Sequence, residues 1–147
     1  MAAPDSSCTF CRIIRRELPA EILFENDRVI SILDIQPIHF GHALVIPKRH
    51  CADFLDIPDG DLYDVIRTTQ VIAGALVRGL GLSGFNIFSN NGSIAGQSVF
   101  HFHMHITPRH ADDNIRFVLQ LKRYAGGAMA DYADRIRRQL PRNHEES

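Results

Sequence analysis

Between Gly96 and Pro108 the chain reads GQSVFHFHMHITP, in which apolar residues alternate without a break with His101, His103 and His105. A period of two belongs to an extended strand, whose successive side chains point to opposite faces. The alternation therefore predicts a strand over residues 98–107, with Phe100, Phe102, Met104 and Ile106 packed on one face and three imidazoles on the other. One histidine on a wet sheet face is ordinary, but three at successive same-face positions point to a chemical site. A single ion shared by all three is strained, because a rise of about 3.3 Å per residue sets the outer α-carbons roughly 13 Å apart. The three are expected to divide their roles, one serving a metal and another the reaction.

Other short elements supply partners for this strand. Thr9–Arg16 reads as a helix, and Ile22–Glu25 with Arg28–Asp34 read as a hairpin around Asn26 and Asp27. His42–Pro47 is an apolar run of strand length that Pro47 stops, because proline cannot donate to a ladder. Pro58 and Asp59 open a helix whose Leu62, Ile66, Thr69, Ala73, Leu76 and Leu80 share one face, with Gly79 and Gly81 closing it. Phe85–Ser89 reads as a further strand, and Ile115, Phe117, Leu119 and Leu121, alternating with Arg116, Gln120 and Lys122, suggest a last one. A helix over Ala128–Leu140 directs Met129, Ala133, Ile136 and Leu140 toward a core and sets Arg135, Arg137, Arg138 and Arg142 on a solvated face. With 147 residues, 45% of them hydrophobic, and neither repeat nor linker, the expectation is one α+β domain over residues 1–147.

A net charge of −1 supplies no pull toward nucleic acid or an acidic membrane surface. No apolar run has the length of a membrane span, and MAAPDSSCTFCRII has no basic segment followed by an apolar one, so a cytoplasmic location is expected. Three cysteines make no disulfide framework. Cys8 and Cys11 have the spacing with which two thiolates grip a tetrahedral zinc, although such a site still lacks two ligands; a redox pair is the alternative, without a thioredoxin-like strand before it. In NNGSIAGQSV, Asn90–Val99, small residues bare the backbone beside the hydroxyls of Ser93 and Ser98 and the amide of Gln97, a composition that suits phosphate oxygens.

GQSVFHFHMHIT resembles the signature of the histidine triad family, and CTFCRIIRRELPAEILFENDRVISILDIQPIHFGHALVIPKRH is similar to the N-terminal half of its nucleoside phosphoramidase branch. The resemblance covers about Cys8–Arg109, and residues 111–147 follow as a C-terminal extension without counterpart. It implies an antiparallel five-stranded sheet with a long helix and a C-terminal helix, the sheet continued across a homodimer. It implies a hydrolase acting at the α-phosphate of a nucleoside phosphoramidate or similar AMP- or GMP-like conjugate, in which His103 becomes a nucleotidyl-histidine that water then cleaves. A dinucleoside polyphosphate hydrolase and a zinc-stabilised nucleotide-binding module are the alternatives.

By the same resemblance His101, His105 and Ser98 complete the catalytic set, with His105 bonded to a backbone carbonyl. Gln97, Ser98 and Asn90 join His103 and His105 at the phosphate, Asp34 accepts the ribose hydroxyls, and Ile35, Phe10 and Ile13 wall the base. The family's zinc-containing members imply a structural zinc on Cys8, Cys11, His50 and His101, four protein ligands with no position open to water. His42 is assigned to structure, Cys51 is a spare small residue, and His39, His110 and His144 receive no role. The chain has no Trp, whereas the eukaryotic relatives end on a tryptophan-containing segment that shapes leaving-group choice, so that choice is not implied here.

Overall fold

The computed structural model describes residues 6–141, so Arg142 and His144 lie outside the described residues. The chain forms two units, Met1–Ile115 and Arg116–Ser147. In the first, α1 (Thr9–Ile14) precedes a hairpin of β1 (Ile22–Glu25) and β2 (Val29–Leu33). The hairpin turns at Asn26, whose side-chain oxygen accepts the N–H groups of Arg28 at 2.9 Å and Val29 at 2.8 Å, the local bond that makes asparagine a turn former. Then come β3 (Ala43–Pro47), α2 (Asp59–Leu80), β4 (Gly84–Phe88) and β5 (Met104–Arg109). Asp59 and Asp61 place negative charge in the first turn of α2, and Gly81 ends it at φ 63°, in the left-handed region that costs glycine nothing.

The five strands form one antiparallel sheet in the order β1-β2-β3-β5-β4. Its two faces carry separate cores. Val29, Ala43, Val45, Met104 and Ile106 pack with Val65, Ile72 and Ala73 of α2. On the opposite face Ile30, Ile32, Leu44 and Ile46 pack with Phe10 and Ile13 of α1. Because β2 and β3 are covered on both faces, they read in sequence as nearly continuous apolar runs.

Three expectations need correction. The strand expected over residues 98–107 begins only at Met104. Residues 97–103 are strapped to the segment after His50 instead: the Phe102 N–H bonds to the Cys51 carbonyl at 2.7 Å, and the Gln97 side-chain amide donates to the Ala52 carbonyl at 2.7 Å. Phe100, expected to pack, is consequently 53% exposed. The alternation over residues 115–121 forms no strand, since no neighbouring strand bonds to it among the described residues, and Phe117, Leu119 and Leu121 are exposed. In the second unit, α3 (Ala128–Arg137) buries none of its residues; Met129, Ile136 and Leu140 are exposed, so its apolar stripe faces no core within that unit.

Candidate active site and metal cluster

A cleft of about 620 Å³ opens on the face of the sheet opposite α2. Parity puts it there. Leu44 of β3 and Phe88 of β4 lie opposite His105 in the ladder, so all three side chains project from the face that α1 covers only in part. Ile13, Leu18, Ile32 and Ile35 give the cleft apolar walls, while Asp34, Asn90, Ser98, His42, His103 and His105 give it polar ones.

Hydrogen bonds fix the tautomers of its histidines. His103 Nδ1 lies 2.7 Å from the His101 carbonyl oxygen, which only accepts, so the proton sits on Nδ1 and Nε2 keeps the lone pair of the neutral ring. The Ile38 N–H donates to His42 Nδ1 at 3.1 Å, which puts the His42 proton on Nε2, where it is donated to His105 Nδ1 at 2.9 Å. The His105 proton is thereby left on Nε2. His105 lies flat on Phe88, with ring centroids 4.6 Å apart and planes 8° from parallel, and Phe10 sets its edge against His103 at 4.9 Å.

Burial opposes charge on each of these rings. It lowers the pKa of His103, against smaller upward contributions from the His101 carbonyl and Asp34. His42 is lowered by burial as well, and His105 is pushed down to about 4 by burial together with His103 and His42. The three imidazoles are neutral at pH 7.

Behind the cleft, Cys8, Cys11, His50 and His101 bring one donor atom each within 4.8 Å of one another. Cys8 caps α1, its Sγ accepting the Cys11 N–H at 3.4 Å, so the first helical turn turns both sulfurs to one side. The Sγ atoms of Cys8 and Cys11 lie 3.4 and 3.6 Å from His101 Nδ1, and Cys11 Sγ lies 3.3 Å from His50 Nδ1. Zinc bound tetrahedrally at 2.3 Å to sulfur and about 2.0 Å to nitrogen holds those atoms about 3.5 Å apart. His101 Nε2 donates to the Pro47 carbonyl at 2.7 Å, which fixes the tautomer and aims the Nδ1 lone pair at the sulfurs, as a metal-binding histidine requires. The quartet therefore fits a structural zinc.

Asp34, His42 and His105 also lie close enough together to suggest a metal, but do not suit one. Nε2 of His42 carries the proton that Nδ1 cannot take while it accepts from Ile38. Cys51 stands apart from the quartet; burial pushes its thiol up to about 11 and its Sγ bonds to the Arg49 carbonyl.

Of the site residues expected from sequence, Phe10, Ile13, Asp34, Ile35, Asn90, Ser98, His103 and His105 line the cleft. Gln97 does not. It is buried, its Oε1 accepts the Gly92 N–H at 2.9 Å, and its Nε2 donates to the Ala52 and Val99 carbonyls, so its side chain braces the loop and is not available to a phosphate. The His101 ring lies in the sulfur cluster, and only its carbonyl reaches His103. The carbonyl bond expected of His105 belongs to His103, and His105 pairs with His42. His42, assigned to structure from sequence, is a wall of the cleft; lying two residues before Leu44, it shares that residue's face and hence that of His105, a parity signal present in GHALVIP.

Residues 15–112 match the HIT domain family. The adenosine 5'-monophosphoramidase HNT1 of Saccharomyces cerevisiae is 44% identical over 112 residues, 74% of this chain and 68% of that protein. A HIT family protein of Bacillus subtilis superposes with a TM-score of 0.87 at 31% identity, covering 94% of this chain and all of that one. A zinc-bound histidine triad family protein of Mycobacterium smegmatis superposes with a TM-score of 0.72 at 41% identity, covering 76% of this chain and 81% of the other.

Proposed function

Because the chain belongs to the HIT domain family, we propose that it is a nucleotide hydrolase that cleaves the bond between the α-phosphorus of a nucleoside monophosphate conjugate and its leaving group, with a phosphoramidate as the substrate. The observation that carries this reading is the His103 tautomer: the Nδ1 proton is held by the His101 carbonyl, so an unprotonated Nε2 belongs to a residue of the cleft wall. Nε2 attacks phosphorus, an N–P bond forms, and the bond to the leaving nitrogen breaks with its electron pair going to that nitrogen, which takes a proton from solvent and departs as the amine. Water then attacks phosphorus and gives up a proton to solvent, the N–P bond breaks, and the nucleoside monophosphate departs as His103 regains its lone pair. The His101 carbonyl opposes the positive charge that the ring carries in the intermediate. Ser98, Asn90 and the Nε2 proton of His105 serve the phosphate oxygens, Asp34 the ribose hydroxyls, and Phe10, Ile13 and Ile35 the base.

Zinc, when bound by Cys8, Cys11, His50 and His101, supplies a structural tie and no reactive water, because four protein ligands leave no open position. The quartet joins α1 to His101, whose own carbonyl orients His103. The reading includes a homodimer, and it treats Arg116–Ser147 as an extension of a single domain whose family match ends at residue 112. It places the protein in the cytoplasm; the thiols of Cys8, Cys11 and Cys51 suit a reducing compartment, and no described helix is long and apolar enough to cross a membrane.

The test is an intact-mass measurement on protein mixed with an adenosine phosphoramidate and quenched within the first turnover. An acid-labile gain of one nucleoside monophosphate, absent from His103→Ala, is expected. No gain in mass and no turnover, with AMP still bound, would replace this reading with that of a binding module.

A further inference from the structure

The hydrolase reading uses Cys8 and Cys11 only as ligands, yet their placement also suits redox chemistry. A hollow of about 250 Å³ has Ser7, Cys8, Thr9, Ser98, Val99 and Phe100 for walls. Cys8, only 8% exposed, therefore faces a space that a small molecule can enter, whereas Cys11 is 2% exposed and is not one of those walls. Cys8 caps α1 and Cys11 lies in its first turn, with the two Sγ atoms within 4.8 Å of each other. A Cys-x-x-Cys pair at the start of a helix is the spacing that closes to a disulfide in thiol oxidoreductases. Coordination to a metal deprotonates a thiol outright, and the thiolate is the form that reacts with an oxidant. The same geometry that would hold zinc therefore keeps an oxidisable pair ready beside an entrance.

We infer that Cys8 is a site of oxidative modification by hydroperoxides, and that the reaction ends in a Cys8–Cys11 disulfide with release of the zinc. The inference rests on the zinc reading of the quartet and is independent of the hydrolase reading. Cys8 Sγ attacks the terminal peroxide oxygen, an S–O bond forms with the hydrogen of that oxygen retained, and the O–O bond breaks to leave hydroxide, or alkoxide from an organic hydroperoxide. Cys11 Sγ then attacks Cys8 Sγ, an S–S bond forms, and the S–O bond breaks to leave hydroxide. Two electrons pass from the two thiolates to the peroxide, and the released anions take protons from solvent. Sulfurs joined to each other no longer ligate, so His101 Nδ1 loses the partners that lie 3.4 and 3.6 Å from it. Helix α1 thereby loses its metal tie to the residue whose carbonyl orients His103. Cys51 stands outside this chemistry, since it belongs to neither hollow nor quartet and its Sγ bonds to the Arg49 carbonyl.

The test treats zinc-loaded protein with hydrogen peroxide and follows released metal with a chromogenic indicator, against a sample without peroxide, while mass spectrometry of the intact chain and its peptides locates the change. One zinc is expected to leave for each disulfide formed, with two hydrogens lost from the chain, the linkage mapped to Cys8 and Cys11, and Cys51 still a thiol. A thiol reductant with added zinc should restore the starting mass and metal content. Dimedone present during oxidation should tag Cys8 and not Cys11, and Cys11→Ser should accumulate the tagged form because no second sulfur resolves it. Cys51→Ala should release zinc as the native protein does. Cys8 and Cys11 left unmodified with the metal in place, while peroxide oxidises methionines or Cys51, would overturn the site, and a dimedone tag on Cys11 alone would overturn Cys8 as the point of attack. Should the protein take up no zinc, the metal release and the zinc reading fall together, and the mass assay decides the rest: a Cys8–Cys11 disulfide keeps the modification site, and its absence removes it.

Discussion

The proton of His103 sits on the nitrogen that does no chemistry, and burial keeps it the only proton on the ring at neutral pH. A free imidazole would be half protonated near pH 6.5 and would lose half its nucleophile there. The rate of formation of the nucleotidyl adduct is therefore expected to stay flat from pH 8 to below 6.5 and to fall only in more acidic solution; rapid-quench rates across that range check it, and a midpoint at 6.5 would refute it. The same groups link pH to stability. Unfolded, these histidines take up protons near pH 6.5, whereas folded His105 resists until about 4 and the pKa values of His42 and His103 are lowered as well. Between those values the unfolded chain binds more protons, so stability is complete above about pH 6.5 and declines as the pH falls toward 4. Urea midpoints from pH 7.5 to 4.5 should fall with acid, and less steeply in His105→Phe; equal slopes in the two proteins would count against His105 as a contributor.

Among the elements, α1 depends most on its surroundings. Six residues make fewer than two turns, too few for an isolated helix to persist in water, so α1 is held by the burial of Phe10 and Ile13 and by the cluster that Cys8 and Cys11 form with His50 and His101. Stripping metal with a chelator is expected to lower the melting temperature by several degrees before it slows the initial rate, and Cys11→Ala should melt low and ignore the chelator. Calorimetry with metal analysis checks this, and identical melting with and without chelator would remove zinc from the quartet. The hairpin, β3, β4 and α2 were legible within a residue or two, because alternation, continuous apolar runs and helical spacing each match one way of burying a face. Residues 98–103 were not, because alternation says which side chains are apolar and nothing about whether the backbone finds a ladder. Off the ladder, the His101 carbonyl accepts from His103 Nδ1. His42 was missed for a related reason: its role lies in a ring-to-ring hydrogen bond with a residue 63 positions away, which only the register of β3 against β5 brings near.

At the scale of the molecule, the sheet has two edges that are not alike. β1 is short, with a register shift between Ile22 and Phe24, and it carries Glu25 paired with Arg16 and Lys48; irregularity and charge are the usual protections of a free edge. β4 has neither. Its five residues pair in continuous register with β5, and Phe85 and Ile87 are exposed on the face that α2 covers elsewhere. A regular edge with apolar side chains invites a second copy, and antiparallel pairing of β4 with itself obeys a twofold axis, so that one surface serves both partners. Light scattering behind size exclusion is expected to give twice the chain mass for the native protein. Ile87→Lys should return it to the single-chain mass, because two lysines related by the axis would bring like charges into the interface, while the exposed position leaves the fold of each copy intact. A native protein that elutes as a monomer at micromolar concentration, or an Ile87→Lys variant that remains a dimer, would place the interface elsewhere or remove it.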